Sequence, residues 1–264
     1  MRTWRFRAII ASLMITGLIS ALEGTIITSA LPTITESLGG GNAYIWVPNA
    51  FLLSSVAVLP MFAQASNIFG RRNLLLGAVA IFTLGSGLCG GAGSMKMLIA
   101  ARTVQGFGGG GINLLVETIV TDLVPLRERG KYMSIVYLGA TVGATLGPFL
   151  GGVITDKSTW RWCFYLNVPI GGGELFPMYA ELRNDTDLHQ TVAFVCLFIF
   201  LNVNHQRGVG WKHRLARIDV VGNLIFIGAI VACLIALTWG GTVYEWSTFH
   251  IVVPIVTGFA GLFL

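Results

Sequence analysis

Residues 137–154 read "YLGATVGATLGPFLGGVI", a stretch with five glycines, one proline and no charged side chain. Inside a soluble helix, each glycine costs about 1 kcal/mol relative to alanine, and proline costs about 3 kcal/mol. Yet Gly139, Gly143, Gly147 and Gly151 are spaced four apart, and residues at that spacing share one helix face. In lipid, where no hydrophobic effect joins helices, small residues on one face let two backbones approach closely. The stretch therefore predicts a membrane-spanning helix that packs tightly against a neighbouring helix.

The composition of the whole chain favours the same class. Hydrophobic residues make up 54% of the 264 residues and charged residues 11%, and the mean hydropathy is +0.75. A soluble domain carries about 25% charged residues. Long apolar runs recur along the chain, several of them near the roughly 20 residues that a helix needs to cross a bilayer core. We therefore predict an all-α membrane protein with several spans.

The apolar runs predict where the spans lie. Predominantly apolar runs occupy 8–31, 44–68, 74–92, 97–120, 132–154 and 218–239, and a last, partial run extends from 248 to 264. The first run is too long for the apolar region of a signal peptide, so we interpret it as an uncleaved span that ends at Pro32. The charged stretch "LRERGKY" at 126–132 is interpreted as a loop.

The sixth span is interrupted. "WRWCFYLNVPIGG" (160–172) and "TVAFVCLFIFLNV" (191–203) are each too short to cross a bilayer, but joined directly they would form one span of roughly 24 residues. The polar stretch 173–190 separates them. Two explanations stay open: translation of a retained intron, or a real loop between two half-spans. Trp160 and Trp162 are expected to anchor the start of this span at the membrane interface.

The positions of the basic residues indicate an orientation. Four basic clusters lie between apolar runs: Arg2, Arg5 and Arg7; Arg71 and Arg72; Arg127, Arg129 and Lys131; and Arg207, Lys212, Arg214 and Arg217. The alternate loops hold only Lys96, Lys157 and Arg161, so the positive-inside rule places the N-terminus in the cytoplasm. Attraction to the anionic lipid head groups of the bilayer explains the net charge of +5, and no nucleic-acid partner is expected.

Three sequence patterns carry a family resemblance. The first lies in the loop after the second span and comprises Asn67, Gly70, Arg71 and Arg72. The second lies in the fourth span and comprises Arg102, Gln105 and Gly106. The third ends the glycine-rich stretch and comprises Gly147, Pro148, Gly151 and Gly152. Together they resemble the major facilitator superfamily, and within it the fungal branch of fourteen-span drug:proton antiporters.

The resemblance also implies roles for two of these patterns. The loop signature of the family usually carries aspartate where this chain has Asn67, which weakens a charge relay in the loop. The glycine-rich span matches the antiporter signature, in which Pro148 is expected to bend the helix. The glycine face would then form a pliable seam on which two halves of a transporter rock against each other. Plain helix packing, without a role in transport, is the alternative.

The resemblance implies a domain organisation. Residues 1–217 are expected to form the N-terminal six-helix bundle of the major facilitator fold, with a suspect polar insert at 173–190. Residues 218–264 are expected to begin two additional spans, and the C-terminal bundle would be missing from a truncated chain. Because substrate sites in such transporters lie between two bundles, we expect this chain to be inactive alone.

The function implied by the resemblance is proton-coupled secondary active export. The substrate would be a small, amphipathic or toxic molecule, and the proton gradient would take the place of a cofactor. The membrane would be the plasma membrane or the vacuolar membrane. A non-transporting membrane sensor, or a degenerate fragment, is the alternative.

One ionisable residue in the first span is a candidate for proton coupling. The stretch "LEGTIITSALPTI" resembles the same branch, with Glu23 where the family often has aspartate. An ionisable group at membrane depth is a functional candidate by default. At about 1.5 Å per residue, Glu23 and Arg102 both lie roughly 10 Å inside the outer surface. An ion pair that protonation of Glu23 would release is therefore expected, and a static structural pair is the alternative.

The other polar residues of the spans give weaker signals. Asn49, Gln64 and Asn113 are expected either to line a polar cavity or to bond to adjacent helices. The histidines His189, His205, His213 and His250 have no ligand spacing within a span, so neither a metal site nor an enzyme is expected.

Overall fold

The computed structural model describes residues 4–169, 219–241 and 244–263, and in these ranges the regular elements are helices. The first part contains α1 (Trp4–Leu38), a 3-10 helix (Gly41–Ile45), α2 (Trp46–Ala57), α3 (Leu59–Phe69), α4 (Arg71–Gly90), α5 (Met95–Leu123), α6 (Leu126–Lys157) and α7 (Trp162–Tyr165). The later part contains α8 (Val220–Trp239) and α9 (Phe249–Leu262). The two explanations of 173–190 concern residues outside the described ranges.

Several described helices are suited to a bilayer. Leu13–Leu38 within α1, the whole of α6, and Val221–Trp239 within α8 are each long and apolar enough to cross one. The pair α2 and α3 adds a fourth span if it is taken as one helix bent by 43°. The bend follows Val58, and Pro60 stands in the first turn of α3, where it lacks the N–H that would continue α2. The prediction of an all-α membrane protein is confirmed.

Two predicted helix ends are wrong. α1 continues through Pro32 to Leu38, because a proline removes a single hydrogen bond and the rest of the helix persists. The helix ends where Gly39 adopts a left-handed φ of 65°. The charged stretch at 126–132 begins α6 instead of forming a loop, since Arg, Glu and Lys are good helix formers. Glu128 lies in the first turn, where its charge suits the helix dipole.

The glycine face of α6 packs against α1. A Cβ placed on Gly139, Gly143 or Gly151 would overlap the carbonyl oxygens of Met14, Leu18 or Ile26, respectively. A Cβ on Gly147 would overlap the hydroxyl of Thr25. The tight neighbour predicted from the glycine spacing therefore exists, and it is the first helix of the chain.

This packing corrects the expected seam between two halves of a transporter. The glycine face is already occupied by α1, which belongs to the same group of helices. α6 is one unbroken helix through Pro148, and Pro148 is exposed, as are Leu146 and Phe149.

We expect Gly143→Ala to lower the free energy of unfolding by about 1–3 kcal/mol, because the added methyl group overlaps the Leu18 carbonyl. The matched control is Gly152→Ala on the same helix, where a Cβ meets nothing within 4 Å. Thermal unfolding of the purified protein in detergent measures both variants. Equal melting temperatures for the two variants would contradict the assigned packing.

Candidate functional site

A buried polar cluster lies where α1, α4, α5 and the segment after α7 meet. Its members are Glu23, Ser86, Arg102, Gln105 and Asn167, and each has at most 1% of its surface exposed. Apolar residues surround the cluster, among them Leu22, Ala101 and Phe164 from one hydrophobic core. Charged groups are rarely buried to this extent unless their partners are supplied by the fold.

The cluster centres on an ion pair between α1 and α5. Nη1 of Arg102 donates to Oε1 of Glu23 at 2.7 Å and to Oε1 of Gln105 at 2.7 Å. Nε2 of Gln105 donates to the same carboxylate oxygen at 2.8 Å and to the Ser86 hydroxyl at 2.7 Å. Nδ2 of Asn167 donates to the other carboxylate oxygen, Oε2. Oε1 of the carboxylate thus accepts from one charged and one neutral donor, and Oε2 accepts from a neutral amide.

The guanidinium of Arg102 is also held from α2 and α7. Its Nε donates to the carbonyl oxygen of Val47 at 3.2 Å. The guanidinium carbon lies 4.3 Å from the ring centre of Phe51 and 5.7 Å from that of Phe164. Cations bind to aromatic faces at such distances, and more strongly where water is absent. The positive charge is therefore compensated by one carboxylate, two rings and neutral oxygens.

Glycines on α4 and α5 bring the elements of this site together. A Cβ on Gly106 would overlap the Phe51 carbonyl and the Ser54 hydroxyl of α2. A Cβ on Gly85 of α4 would overlap the backbone of Gln105. Only glycine allows α5 to approach both neighbours closely enough for the short side chains of the cluster to meet.

Comparison with known proteins identifies the family. The profile of the Major Facilitator Superfamily matches residues 13–264. The chain belongs to this superfamily. It is therefore an integral membrane protein of a transporter family, and the family prediction is confirmed.

Two fungal relatives are similar over nearly the whole chain. The MFS-type transporter ucsD of an Acremonium species is 57% identical over 98% of this chain. The MFS efflux transporter aclA of Aspergillus oryzae is 46% identical, also over 98% of this chain. The chain spans 41% of the length of the first relative and 44% of the second.

Two solved structures share the fold. The human organic anion transporter MFSD10 has a TM-score of 0.59 at 17% identity, covering 85% of this chain and 55% of that protein. The inward-open xylose transporter XylE from E. coli has a TM-score of 0.56 at 13% identity, covering 98% of this chain and 80% of that one. The predicted major facilitator fold is therefore confirmed.

In this member of the superfamily, the loop motif forms a turn and an ion pair. Gly70 joins α3 to α4 with a φ of 86°, a conformation that favours glycine. Nε of Arg71 lies 2.9 Å from Oδ2 of Asp122, near the end of α5. Asn67 is exposed, and the side chain of Arg72 lies outside the described set. The motif therefore links the α3–α4 turn to α5.

The three cavity candidates form hydrogen bonds between helices. Nδ2 of Asn49 donates to the Thr238 hydroxyl of α8 at 3.3 Å. Oδ1 of Asn113 accepts from the Ser20 hydroxyl of α1 at 2.8 Å. Oε1 of Gln64 accepts from the Asp219 backbone N–H at 3.0 Å and from Nδ2 of Asn223 at 3.1 Å. Bonding to adjacent helices is one of the two roles that the sequence left open for these residues.

Ser86, Asn167 and Phe51 belong to the site although no sequence pattern indicated them. The stretch around Asn167 indicated only half of an interrupted span and two interface tryptophans. Trp162 is 55% exposed, which suits an interface anchor, but Trp160 is 5% exposed and packs edge-on to Phe164 inside the protein. The expected interface position of Trp160 is therefore wrong. Glu23 and Arg102 could be paired by their similar depth because charged residues are rare in apolar spans. Asn167 is uncharged, so the sequence offered no sign that it is buried beside them.

We expect Arg102→Met to lower the free energy of unfolding by about 3–5 kcal/mol at alkaline pH, because it leaves the Glu23 carboxylate buried without a counter-charge. The double variant Glu23→Gln, Arg102→Met should lose less than the sum of the two single variants. Chemical unfolding in detergent measures all three. Lys157→Met, an exposed change at the end of α6, is the control. Additivity within about 0.5 kcal/mol would show that the two side chains are not coupled.

Proposed function

We propose that this chain is the N-terminal part of an exporter that moves a small, amphipathic or toxic molecule out of the cytoplasm as protons move inward. The buried pair of Glu23 and Arg102 carries the proposal. Names of fungal relatives support it, since one of them is an efflux transporter. Residues 1–217 would form most of one bundle, 218–264 would begin two additional spans, and a second bundle would complete the substrate cavity.

The proton step follows from the geometry of the pair. A proton on Glu23 cancels the charge that Arg102 faces at 2.7 Å. The guanidinium keeps its neutral acceptors, Gln105 and Val47, but loses its only anionic partner in the cluster. Because an unpaired charge in a dry site is costly, the protonated state favours a different arrangement of α1 and α5. A proton thereby shifts the population between two conformations of the transporter.

Exposed polar groups on α6 and further along α5 than the buried cluster support a substrate cavity. The Tyr137 hydroxyl donates to Oε1 of Glu117 at 2.7 Å, and both residues are exposed. Asn113 is exposed on α5 one turn away. Ionisable groups in membrane helices face a bundle interior or a water-filled cavity rather than lipid. This face is therefore proposed to line the path of the substrate.

The orientation and the membrane are part of the proposal. Arg71, Arg127 and Arg129 lie at one end of the helices, and Lys96, Lys157 and Arg161 lie at the other. The N-terminus is accordingly proposed to lie in the cytoplasm, in the plasma or vacuolar membrane.

A hybrid protein tests the proposal. Residues 1–169 of this chain are joined to the remaining sequence of the Acremonium relative and expressed in yeast that lacks its own efflux pumps. We expect the hybrid to lower the accumulation of an amphipathic dye, and an uncoupler of the proton gradient to abolish this effect. Glu23→Gln should raise accumulation to the level of cells without the hybrid, at unchanged protein level in the membrane.

The matched control is Glu36→Gln, which changes an exposed carboxylate on the same helix. It should export the dye at the rate of the unmodified hybrid. Gradient-driven export by the Glu23→Gln hybrid at the unmodified rate would refute the role of Glu23.

A further inference from the structure

Asn167 has an unused polar atom inside the buried cluster. Its side chain is 1% exposed, and its Nδ2 donates to Oε2 of Glu23. Its Oδ1 is buried and accepts no hydrogen bond from any described residue. A buried oxygen without a donor costs about 1–3 kcal/mol, so this arrangement calls for an explanation.

The two oxygens of the Glu23 carboxylate have different neighbours. Oε1 accepts from Nη1 of Arg102 and from Nε2 of Gln105. Oε2 accepts from Asn167. A proton on Oε1 would point at two donors, one of them a cation. The favourable position for a proton is therefore Oε2, next to the amide of Asn167.

An asparagine amide can partner both forms of that oxygen. A carboxylate only accepts hydrogen bonds, so it must face Nδ2, whereas a carboxylic acid donates and must face an oxygen. A half-turn of the amide about its Cβ–Cγ bond exchanges Nδ2 and Oδ1 at the same place. With Glu23 ionised, Oδ1 of Asn167 has no donor among the described residues, and with Glu23 protonated, Nδ2 has no acceptor. The free-energy cost of one unpaired amide atom is therefore similar in the two protonation states.

The other described ionisable groups near Glu23 do not contact Oε2, the oxygen on which the proton is expected. Arg102 of α5 contacts the other oxygen. The thiols of Cys89 on α4 and Cys163 on α7 lie close enough for electrostatic interaction with the carboxylate. The Cys89 thiol donates to Oε1 of Gln105 at 3.5 Å. From α2, the cluster receives the carbonyl oxygen of Val47 and the ring of Phe51, and neither ionises.

We propose that Asn167 is a positioning residue that transmits the protonation state of Glu23 to α7, which lies just before it in the chain. When a proton from water binds to Oε2, the bond from Nδ2 of Asn167 to Oε2 breaks, the amide turns, and the new O–H donates to Oδ1. Loss of the proton reverses these steps. The inference rests on the proposed function, because it requires Glu23 to exchange a proton.

The segment 161–167, which comprises α7 and its flanking residues, is well placed to pass this change onward. Nη1 of Arg161, just before α7, donates to the Gly90 carbonyl at 2.6 Å, where α4 ends. The Tyr165 ring lies against Gly90 at the same point. Phe164 of α7 faces the Arg102 guanidinium. A turn of the Asn167 amide therefore acts on a segment that contacts both α4 and α5.

Infrared difference spectroscopy of the whole chain in lipid vesicles, recorded between alkaline and acidic pH, tests the proposal. The carboxylic-acid C=O band that disappears in Glu23→Gln belongs to Glu23. In Asn167→Leu, which has no acceptor, we expect this band to shift to higher wavenumber, as for an acid without a hydrogen-bond acceptor. Asn49→Leu, a matched amide removal on α2 that does not touch Glu23, should leave the band in place.

A second measurement avoids any change at position 167. In the unmodified chain grown with asparagine that carries a ¹³C-labelled side-chain carbonyl, one amide band should change together with the Glu23 acid band. This amide change should be lost in Glu23→Gln.

The outcomes separate the two proposals. If no acid band is lost in Glu23→Gln, Glu23 does not exchange a proton, and both proposals fail. A second outcome is that the Glu23 acid band is present, does not shift in Asn167→Leu, and is accompanied by no change in a labelled asparagine band. In that case only the role of Asn167 is overturned.

Discussion

The ion pair between Glu23 and Arg102 is the constraint on which the arrangement of the helices depends. Two opposite charges buried at membrane depth are costly unless each is paired with the other and supported by further hydrogen bonds. The side chains that match them are short, so the helices that carry them must approach closely. Gly106 on α5 and Gly85 on α4 permit that approach. These two glycines, which look unfavourable residue by residue, are thus explained by the need to bring polar groups together.

Away from this pair, the helices are joined by different means in different places. α1 and α6 meet through a row of glycines, whereas α8 is joined to α2 and α3 by the amides of Asn49 and Gln64. At the end of the helices away from the ion pair, Arg71 links the α3–α4 turn to Asp122 of α5. Apolar and small-residue contacts thus supply most of the packing, and a few directional bonds fix which helices are neighbours.

The sequence predicted the class of fold and the central pair, but not the full site. Periodicity identified the glycine face of α6, yet a spacing of four residues says nothing about which helix fills that face. Depth along a helix placed Glu23 beside Arg102, because both charges are rare in apolar runs and therefore conspicuous. Asparagine is a common uncharged polar residue, and Asn167 lies in an interrupted span, so no sequence pattern indicated that it is buried. The charged residues at 126–132 predicted a loop, but they form the first turns of α6. Arg, Glu and Lys are frequent in loops and are also good helix formers.

The sequence separation within the buried cluster has a consequence for biogenesis. Glu23 precedes Arg102 by 79 residues and Asn167 by 144 residues, so the ribosome delivers the acid to the membrane long before its partners. Until α5 is synthesised, an ionised carboxylate in the first helix would face hydrocarbon without a counter-charge. The nascent first helix is therefore inserted either with this side chain as the neutral acid or in contact with the insertion machinery, and α5 later supplies the counter-charge.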